Sequence, residues 1–211
     1  PTRPRRQRTA LKAHTFDKLR ALVYETSGIS LGENKEALVR ARIAKRMRSL
    51  KLSDYDEYWR YVTGDRSGRE IQHMVDAIST NTTSFYREPA HFDVFREIID
   101  GWIASGARDL RFWSAASSSG EEPYTMAIEI LETIGRRPVH ARVLATDISR
   151  KILAAALAGE YSESQVRPVP DRLRRQYFLK RKTKQGTRYA VGDALRDMVV
   201  FRQFNLSAVP Y

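Results

Sequence analysis

One stretch of this sequence restricts the possible folds more than any other. Leu110, Phe112 and Trp113 form an apolar run, and the residues from Ser114 to Gly120 are all small. Apolar residues then return at helical spacing, at Tyr124, Ala127, Ile128, Leu131 and Ile134. A strand, a loop of small residues and a helix in this order form the first half of a β-α-β unit.

The next apolar run, His140 to Thr146, predicts a buried strand that ends at Asp147. In α/β folds that bind nucleotide-like cofactors, an acidic residue at this place holds the ribose hydroxyls. Small side chains let a ligand approach the backbone, and the helix start presents unpaired N–H groups. The dinucleotide fingerprint G-x-G-x-x-G and the P-loop G-K-[ST] are absent, which argues against NAD and ATP. An ordinary strand-to-helix turn remains the alternative reading of these residues alone.

The composition excludes several classes of chemistry. The 211 residues include no cysteine, so disulfides, thiolate catalysis and cysteine-ligated zinc are ruled out. The four histidines are scattered without a pair at ligand spacing, and we predict no metal site. No apolar run approaches the roughly 20 residues of a membrane span, and the start does not resemble a signal peptide, so we expect a cytoplasmic location. The net charge of +12 indicates an acidic partner, whether nucleic acid, anionic lipid or a glutamate-rich protein surface.

The first part of the chain predicts a small helical domain. We interpret residues 1–13 as a basic tail and residues 14–78 as an all-α domain. Its four amphipathic patterns run from Phe16 to Ser27, Lys35 to Leu50, Ser53 to Val62 and Ser67 to Ile78, the last opened by a capping box at Ser67 and Glu70. The second helix is strongly basic, at Arg40, Arg42, Lys45, Arg46 and Arg48. Such a face is either solvated or a docking surface, and no helix-turn-helix spacing accompanies it.

The remaining segments complete an α/β domain. Residues 79–88 form a polar linker, and a helix follows from Pro89 towards Gly106. A short helix is predicted between Ser149 and Gly159. We interpret residues 159–197 as a small β-rich insertion that contains a helix at Asp171–Tyr177, a basic turn at Lys180–Lys184 and an edge strand at Thr187–Val191. The run Val199–Phe204 predicts a third core strand.

Three motifs, in this order and spacing, resemble one known family. They are TNTTSFYRE at residues 80–88, SAASSSGEEPYTMAI at 114–128 and LATDIS at 144–149. They closely resemble the bacterial chemotaxis receptor methyltransferases, the CheR family, and the resemblance extends from about Phe16 to Leu206. It implies an all-α receptor-docking domain followed by a Rossmann-like methyltransferase domain at residues 89–211, with a β-rich insertion. It also implies an enzyme of chemotaxis signal transduction that transfers a methyl group from S-adenosylmethionine (SAM) to glutamate side chains of chemoreceptors.

The resemblance further implies the residues of the site. The positions that would contact SAM, or its product S-adenosylhomocysteine (SAH), are Asn81, Thr83, Arg87, Ala115, Gly120, Glu122, Asp147, Asn205 and Leu206. Asp147 would accept hydrogen bonds from the ribose hydroxyls, and Glu122 would face the methionine ammonium group. Arg87 would also act in catalysis, by holding either the methionine carboxylate or the carboxylate of the substrate. The basic second helix looks like the receptor-contacting helix of the family.

A glutamate carboxylate has an ordinary pKa of about 4.3, so it is already ionised at pH 7 and needs no general base. This agrees with a sequence in which no Ser-His-Asp or Cys-His arrangement is evident. The family has further parallel strands, and an Asn-Val pair with a nearby tyrosine, that find no counterpart before Tyr211, so we expect the C-terminal strands to be missing. Two alternatives therefore stay open: a SAM-binding or docking module that is catalytically silent, and a protein that binds or methylates nucleic acid.

Overall fold

The structure is a computed structural model that describes residues 13–32, 35–184 and 186–208. Apart from Ala13, the predicted basic tail lies outside the described residues. The described residues divide into two compact units, one within residues 13–80 with 205–208 and the other within residues 81–204.

The first unit is built from four helices. They are α1 (Ala13–Ser27), α2 (Glu36–Leu50), α3 (Tyr55–Gly64) and α4 (Arg69–Ile78). Their apolar stripes meet in one core, in which Leu19, Val23, Ile43, Tyr58 and Met74 are fully buried. Stripes repeating every three or four residues bury one face of each helix, so the helices predicted from periodicity are confirmed.

Helix α4 begins differently from the prediction. Its N-cap is Gly68, which makes no side-chain cap. The carboxylate of Asp65 caps the helix instead, because Oδ2 accepts from the Glu70 N–H at 2.8 Å and Oδ1 accepts from the Ser67 N–H at 2.9 Å. The capping box predicted at Ser67 and Glu70 is therefore wrong, since the Glu70 side chain is buried in the core of the unit.

The second unit contains a parallel three-stranded sheet with helices packed against it. Its principal elements are α5 (Pro89–Ala104), β1 (Asp109–Ala115), α6 (Glu121–Ile134), β2 (His140–Asp147), α7 (Arg150–Ala158) and β6 (Val199–Gln203). The strand order is β1-β2-β6, with Trp113, Leu144 and Val200 in one row across the sheet. The three core strands predicted from the sequence are confirmed, and so is the α/β fold class.

The two faces of this sheet differ. On one face Leu110 and Phe112 are buried in the core of the unit. On the other, Trp113 is 51% exposed and Leu144 is 40% exposed, beside a groove of about 550 Å³ that Arg111 and Arg142 also line. A parallel sheet is normally covered on both faces, whereas this apolar row is exposed among the described residues.

A second, antiparallel sheet lies within the insertion. The insertion comprises β3 (Glu160–Ser162), α8 (Glu163–Val166), α9 (Asp171–Tyr177), β4 (Phe178–Thr183), β5 (Gly186–Val191) and α10 (Asp193–Met198). The strand order is β3-β5-β4. The helix predicted at Asp171–Tyr177 is confirmed. The predicted basic turn is wrong, because most of it forms β4, and the predicted edge strand is the central strand of the sheet.

The physical reason is that strand pairing depends on backbone hydrogen bonds and tolerates exposed basic side chains. Lys180, Arg181 and Lys182 are exposed along β4 and therefore lack the apolar alternation that marks a strand in a sequence. Strand β3 is only 3 residues long, too short to be recognised from its pattern. In the part of the chain that the structure describes, no helix has both the length and the apolar character of a membrane span.

Candidate active site

The loop between β1 and α6 is held against the end of β2 by backbone hydrogen bonds. The Ala116 and Ser117 N–H groups both donate to the Thr146 carbonyl oxygen at 2.8 Å. The next N–H, of Ser118, donates to Oδ2 of Asp147 at 2.9 Å. Three consecutive loop residues are thus attached to the two last residues of β2, so the geometry of the loop depends on that strand end.

The same loop contains backbone strain. Ala116 has a φ of 88° and Ser118 a φ of 50°, values that residues other than glycine rarely adopt. Such conformations cost on the order of 1–3 kcal/mol each and persist only where surrounding contacts hold them, most often at ligand sites. The attachment to Thr146 and Asp147 supplies those contacts.

Asp147 is buried, and both oxygens of its carboxylate accept backbone hydrogen bonds. Besides Ser118, the Ser149 N–H donates to Oδ1 at 2.9 Å. A carboxylate has about four acceptor positions, so two further donors can be accommodated. The Ser149 side chain caps α7 as predicted, by accepting from the Ile152 N–H at 3.2 Å.

Two buried hydroxyls accompany Asp147. Within the described residues, neither the Ser117 Oγ nor the Ser118 Oγ has a hydrogen-bond partner. Buried polar groups are almost always paired, and an unpaired one costs roughly 1–3 kcal/mol. Both hydroxyls lie in the loop between β1 and α6 that is hydrogen-bonded to Asp147. A polar ligand bound there would relieve this cost.

Gly120 is required by packing on the protein side of the loop. A Cβ atom at this position would lie 2.9 Å from the Tyr161 Oη, 3.1 Å from the Ala156 Cβ and 3.2 Å from the Tyr124 ring. Its φ of 95° also favours glycine. The structure therefore explains Gly120 without a ligand, and its predicted contact with the cofactor remains a prediction.

The two glutamates at the start of α6 have different surroundings. Glu122 is exposed, and its Oε1 accepts from the Ser114 Oγ at 2.7 Å. Glu121 is buried, and its Oε2 accepts from the Ser119 Oγ at 2.5 Å. Ala115 is exposed at the end of β1, opposite Thr146. The structure thus brings Ala115, Gly120, Glu122 and Asp147 together at the carboxyl ends of two neighbouring strands.

Arg87 lies in an exposed, strained segment. The residues on either side, Tyr86 and Glu88, have φ values of 51° and 53°. The Arg87 Nη1 donates to the Thr82 carbonyl at 2.8 Å. Asn81 is exposed and Thr83 partly exposed in the same segment. Among the hydrogen bonds and ion pairs of the described residues, none joins Arg87 to Glu122 or Asp147, so its role at the site stays a prediction.

The side chains preceding Arg87 anchor the segment. The Tyr86 hydroxyl donates to the Glu129 Oε1 at 2.7 Å, and Arg96 forms an ion pair with the same buried carboxylate. Burial raises the pKa of Tyr86 well above its ordinary value, so this hydroxyl remains a donor. Phe85 is buried and packs edge-on against Tyr161, with ring centroids 4.9 Å apart. Sequence reasoning noted Phe85 and Tyr86 but assigned them no partners.

Comparisons with known proteins decide the family. The family model described as the all-alpha domain of CheR methyltransferases matches residues 14–79. The model for the SAM binding domain of CheR methyltransferases matches residues 81–211. The chain belongs to the CheR methyltransferase family.

Curated relatives agree with this assignment over most of their length. Chemotaxis protein methyltransferase 2 of Pseudomonas aeruginosa is 36% identical over 191 residues, which are 90% of this chain and 67% of the relative. A probable chemotaxis protein methyltransferase of Rhizobium etli is 35% identical, with 89% and 71% covered. The chemotaxis protein methyltransferase of Escherichia coli is 31% identical, with 97% and 70% covered.

As a CheR methyltransferase, the chain is an enzyme of SAM-dependent methylation in chemotaxis. The resemblance stated from three sequence motifs is confirmed, and so are the all-α domain followed by a SAM-binding domain and the enzyme class. The individual site residues are a separate matter, because neither the comparisons nor the contacts described above test them.

Two residues predicted for the cofactor belong to the helical unit of this CheR chain. Asn205 and Leu206 group with that unit. The Asn205 Nδ2 donates to the Thr26 carbonyl at 3.0 Å, and its Oδ1 accepts from the Ser207 N–H at 3.0 Å. These bonds fix the Asn205 amide within the unit, and the predicted contact with the adenine end of SAM stays a prediction.

The basic residues of α2 in the CheR all-α domain have different surroundings. Arg42 Nη1 donates to the Ile78 carbonyl and, at 2.9 Å, to the Ser79 carbonyl, so it pairs with free acceptors at the end of α4. Arg46 forms an ion pair with buried Glu70. Arg40, Lys45 and Arg48 are exposed. Of the five predicted docking residues, Arg42 and Arg46 therefore join α2 to α4, while the exposed Arg40 pairs with Glu36 on its own helix.

The sequence contained a signal for this arrangement. Glu70, Met74 and Ile78 follow one another every four residues, which places Glu70 on the apolar stripe of α4. A carboxylate on such a stripe is buried and requires a cationic partner.

Proposed function

We propose that this CheR methyltransferase transfers the methyl group of SAM to glutamate carboxylates on the acidic, helical cytoplasmic region of chemoreceptors. One observation carries the cofactor part of the proposal. It is the buried Asp147 at the end of β2, which holds a strained loop that contains two unpaired buried hydroxyls.

The residues present fit SAM. Asp147 has acceptor positions left for two adjacent ribose hydroxyls. The exposed carboxylate of Glu122 lies at the same strand ends and suits the methionine ammonium group. Ser117 and Ser118 offer hydroxyls to further polar atoms. When bound, SAM supplies a methyl group activated by a sulfonium leaving group.

The reaction makes few demands on proton transfer. The substrate carboxylate is ionised at pH 7, so the protein has only to bind, orient and exclude water. Arg87 is the residue that we propose for orientation, because its exposed guanidinium group suits a carboxylate and its flanks are anchored by Phe85 and Tyr86. The carboxylate is that of the substrate or of the methionine part of SAM. An Arg87→Gln variant separates the two, because the first raises the KM for the receptor and the second raises the KM for SAM.

We propose that the exposed cations of α2, Arg40, Lys45 and Arg48, attract the receptor. The chain carries a net charge of +12, which favours encounter with an acidic surface. Arg42 and Arg46 support this surface from within, because their guanidinium groups join α2 to α4.

The cofactor site is tested by calorimetric titration with SAH. We expect Asp147→Ala to abolish SAH binding, since the ribose acceptors and the loop attachment are lost together. The matched control is Asp109→Ala, which removes an exposed carboxylate at the other end of β1, where it pairs only at the surface with Arg111. SAH affinity that is unchanged in Asp147→Ala would remove the proposed pocket.

The catalytic part is tested by transfer of a labelled methyl group to a receptor fragment. Base-stable incorporation, or none, would contradict a glutamate ester, which alkali hydrolyses. The family assignment does not favour the alternative of a catalytically silent module. SAH binding without any methyl transfer would revive it.

A further inference from the structure

The side chain of Tyr161 connects the small antiparallel sheet to the loop between β1 and α6. Tyr161 is the central residue of β3 and is 2% exposed. Its hydroxyl donates to the Ser119 carbonyl at 2.7 Å. One partly buried hydrogen bond therefore joins the insertion to the loop that contains the proposed SAM residues.

The same hydroxyl limits the size of the residue that fits at position 120 of the loop. The Tyr161 Oη is the nearest atom to the position that a Cβ on Gly120 would occupy, at 2.9 Å. Ser118 and Gly120 both have positive φ values. A loop held in such conformations relaxes when its supporting contacts are removed, so Tyr161 acts as a support beneath it.

The ring of Tyr161 contacts the segment that carries Arg87. It packs edge-on against Phe85, at 4.9 Å between centroids and an interplanar angle of 79°. Phe85 also packs against Phe178 of β4, at 5.5 Å. Only Tyr86 separates Phe85 from Arg87 along the chain, and its backbone is strained. One side chain thus contacts two of the segments in which cofactor residues are predicted.

The chemistry of Tyr161 restricts what it does. Burial raises the pKa of this phenol far above its ordinary value, so the hydroxyl remains protonated and donates to Ser119 throughout the working pH range. It therefore serves as a hydrogen-bond donor to the loop.

We propose that Tyr161 is a positioning residue for methyl transfer, holding the Ser118–Gly120 backbone by its hydroxyl and the Arg87 segment by its ring. The inference rests on the proposed function, because it takes this loop to be part of the SAM site. It extends that function by giving the small sheet a part in cofactor binding.

The test is Tyr161→Phe, which removes only the hydroxyl. We expect the KM for SAM and the Kd for SAH to rise on the order of 10-fold, the size of one lost hydrogen bond, while kcat changes less. The matched control is Tyr177→Phe. Tyr177 is also buried, and its hydroxyl donates to the Glu132 Oε1 at 2.7 Å, in contact with neither Ser119 nor Gly120. We expect that variant to lose a similar amount of stability and to keep its SAH affinity.

The outcomes separate the two proposals. Wild-type protein that does not bind SAH contradicts the proposed function. Wild-type protein that binds SAH, with equal affinity in Tyr161→Phe, overturns the positioning role alone, as does an equal loss of affinity in both variants.

A measurement on the wild-type protein covers the case in which Tyr161→Phe does not fold. Hydrogen exchange is followed by mass spectrometry with and without SAH. We expect SAH to slow exchange in β3 as well as in the loop at residues 116–120. Slower exchange in the loop with unchanged exchange in β3 would show that the two are not coupled, and the proposal would be wrong.

Discussion

Arg46 and Glu70 form a two-pronged ion pair inside the helical unit. The Arg46 Nη2 lies 2.5 Å from the Glu70 Oε2, and its Nε lies 2.9 Å from Oε1. The Tyr58 hydroxyl donates to the same carboxylate at 3.0 Å. The Glu70 side chain is 3% exposed and the Arg46 side chain 25%. Removing a carboxylate from water to this extent costs several kcal/mol unless such partners compensate, so part of the basic character of α2 belongs to the fold.

Because of this ion pair, Arg46 contributes to the stability of the folded protein. We expect Arg46→Ala to lower the free energy of unfolding by about 3 kcal/mol, the lower end of the effect of breaking a buried pair, because Arg46 is partly exposed. The control is Arg48→Ala, an exposed cation on the same helix that should change stability by less than about 0.5 kcal/mol. Urea unfolding followed by circular dichroism measures both, and equal losses in the two variants would contradict a special role for the pair.

Receptor docking should depend on the exposed cations. We expect the triple substitution of Arg40, Lys45 and Arg48 by glutamate to weaken binding to an acidic receptor fragment by more than about 100-fold at low salt, because each attraction becomes a repulsion. Thermal stability and SAH affinity should remain close to wild type. The measurement is the receptor Kd at several salt concentrations, and an unchanged Kd would place the docking surface elsewhere. A steeper salt dependence on duplex DNA than on the receptor fragment would favour nucleic acid as the partner.

Gly120 and Gly101 offer a matched pair of glycine substitutions. We expect Gly120→Ala to lower stability by roughly 1–3 kcal/mol, because φ is 95° and the new Cβ would press on Tyr161 and Ala156. Gly101 lies within α5, where a Cβ would meet nothing within 4 Å, so Gly101→Ala should stabilise the protein by about 0.4–1 kcal/mol. Thermal unfolding measures the two changes, which should have opposite signs. Two changes of the same sign would show that the tight packing behind Gly120 is not what requires glycine.

Anchoring of Arg87 by Tyr86 is also testable. We expect Tyr86→Phe to lower kcat/KM for methyl transfer roughly 10-fold, because the hydrogen bond to the Glu129 carboxylate that holds the strained segment is lost. The control is Tyr61→Phe, at an exposed tyrosine of α3, which should leave kcat/KM unchanged. Steady-state kinetics with a receptor fragment measures the effect. Full activity in Tyr86→Phe would mean that Arg87 needs no support from this bond.

The Asp65 cap on α4 should make the stability of the protein depend on pH. Hydrogen bonds from the Ser67 side chain and from the Glu70 and Ser67 N–H groups lower the pKa of Asp65 from 3.8 to about 2. A lowered pKa in the folded state stabilises the protein fully above 3.8, and this stabilisation is lost as the pH falls towards 2. We expect wild type to be more stable than Asp65→Asn at neutral pH and the difference to disappear at the acid end. Urea midpoints across this range measure it, and a difference that does not vary with pH would contradict the charged cap.

The sequence predicted those parts of the fold that depend on local pattern. Helices α1 to α4 and strands β1, β2 and β6 have apolar residues at regular spacing, which alone is enough to identify them. Strand β4 was not predicted, because Lys180, Arg181 and Lys182 show no such spacing and only pairing with β5 makes this segment a strand. Asp65 was not recognised as the cap of α4, because Ser67 and Glu70 match the capping-box pattern.

The sequence suggested positions for the site, which stay predictions, but it did not suggest the contacts that hold them. Asp147 stands out because it ends an apolar run, whereas Arg87 was predicted only from the resemblance to the CheR family. The partners of Tyr86, Tyr161 and Arg42 are all more than 30 residues away in the chain. No local pattern reveals which distant carboxylate or carbonyl a hydroxyl or guanidinium group will reach.

The close approach of Gly120 to Tyr161 constrains how enzymes of this kind can diverge. A side chain at position 120 would press on Tyr161, Ala156 and Tyr124 at once, so the loop and the residues packed behind it can change only together. A chimera that takes the small sheet from a relative must therefore also have glycine at position 120. Otherwise the tyrosine of the transferred sheet would clash with the side chain at that position.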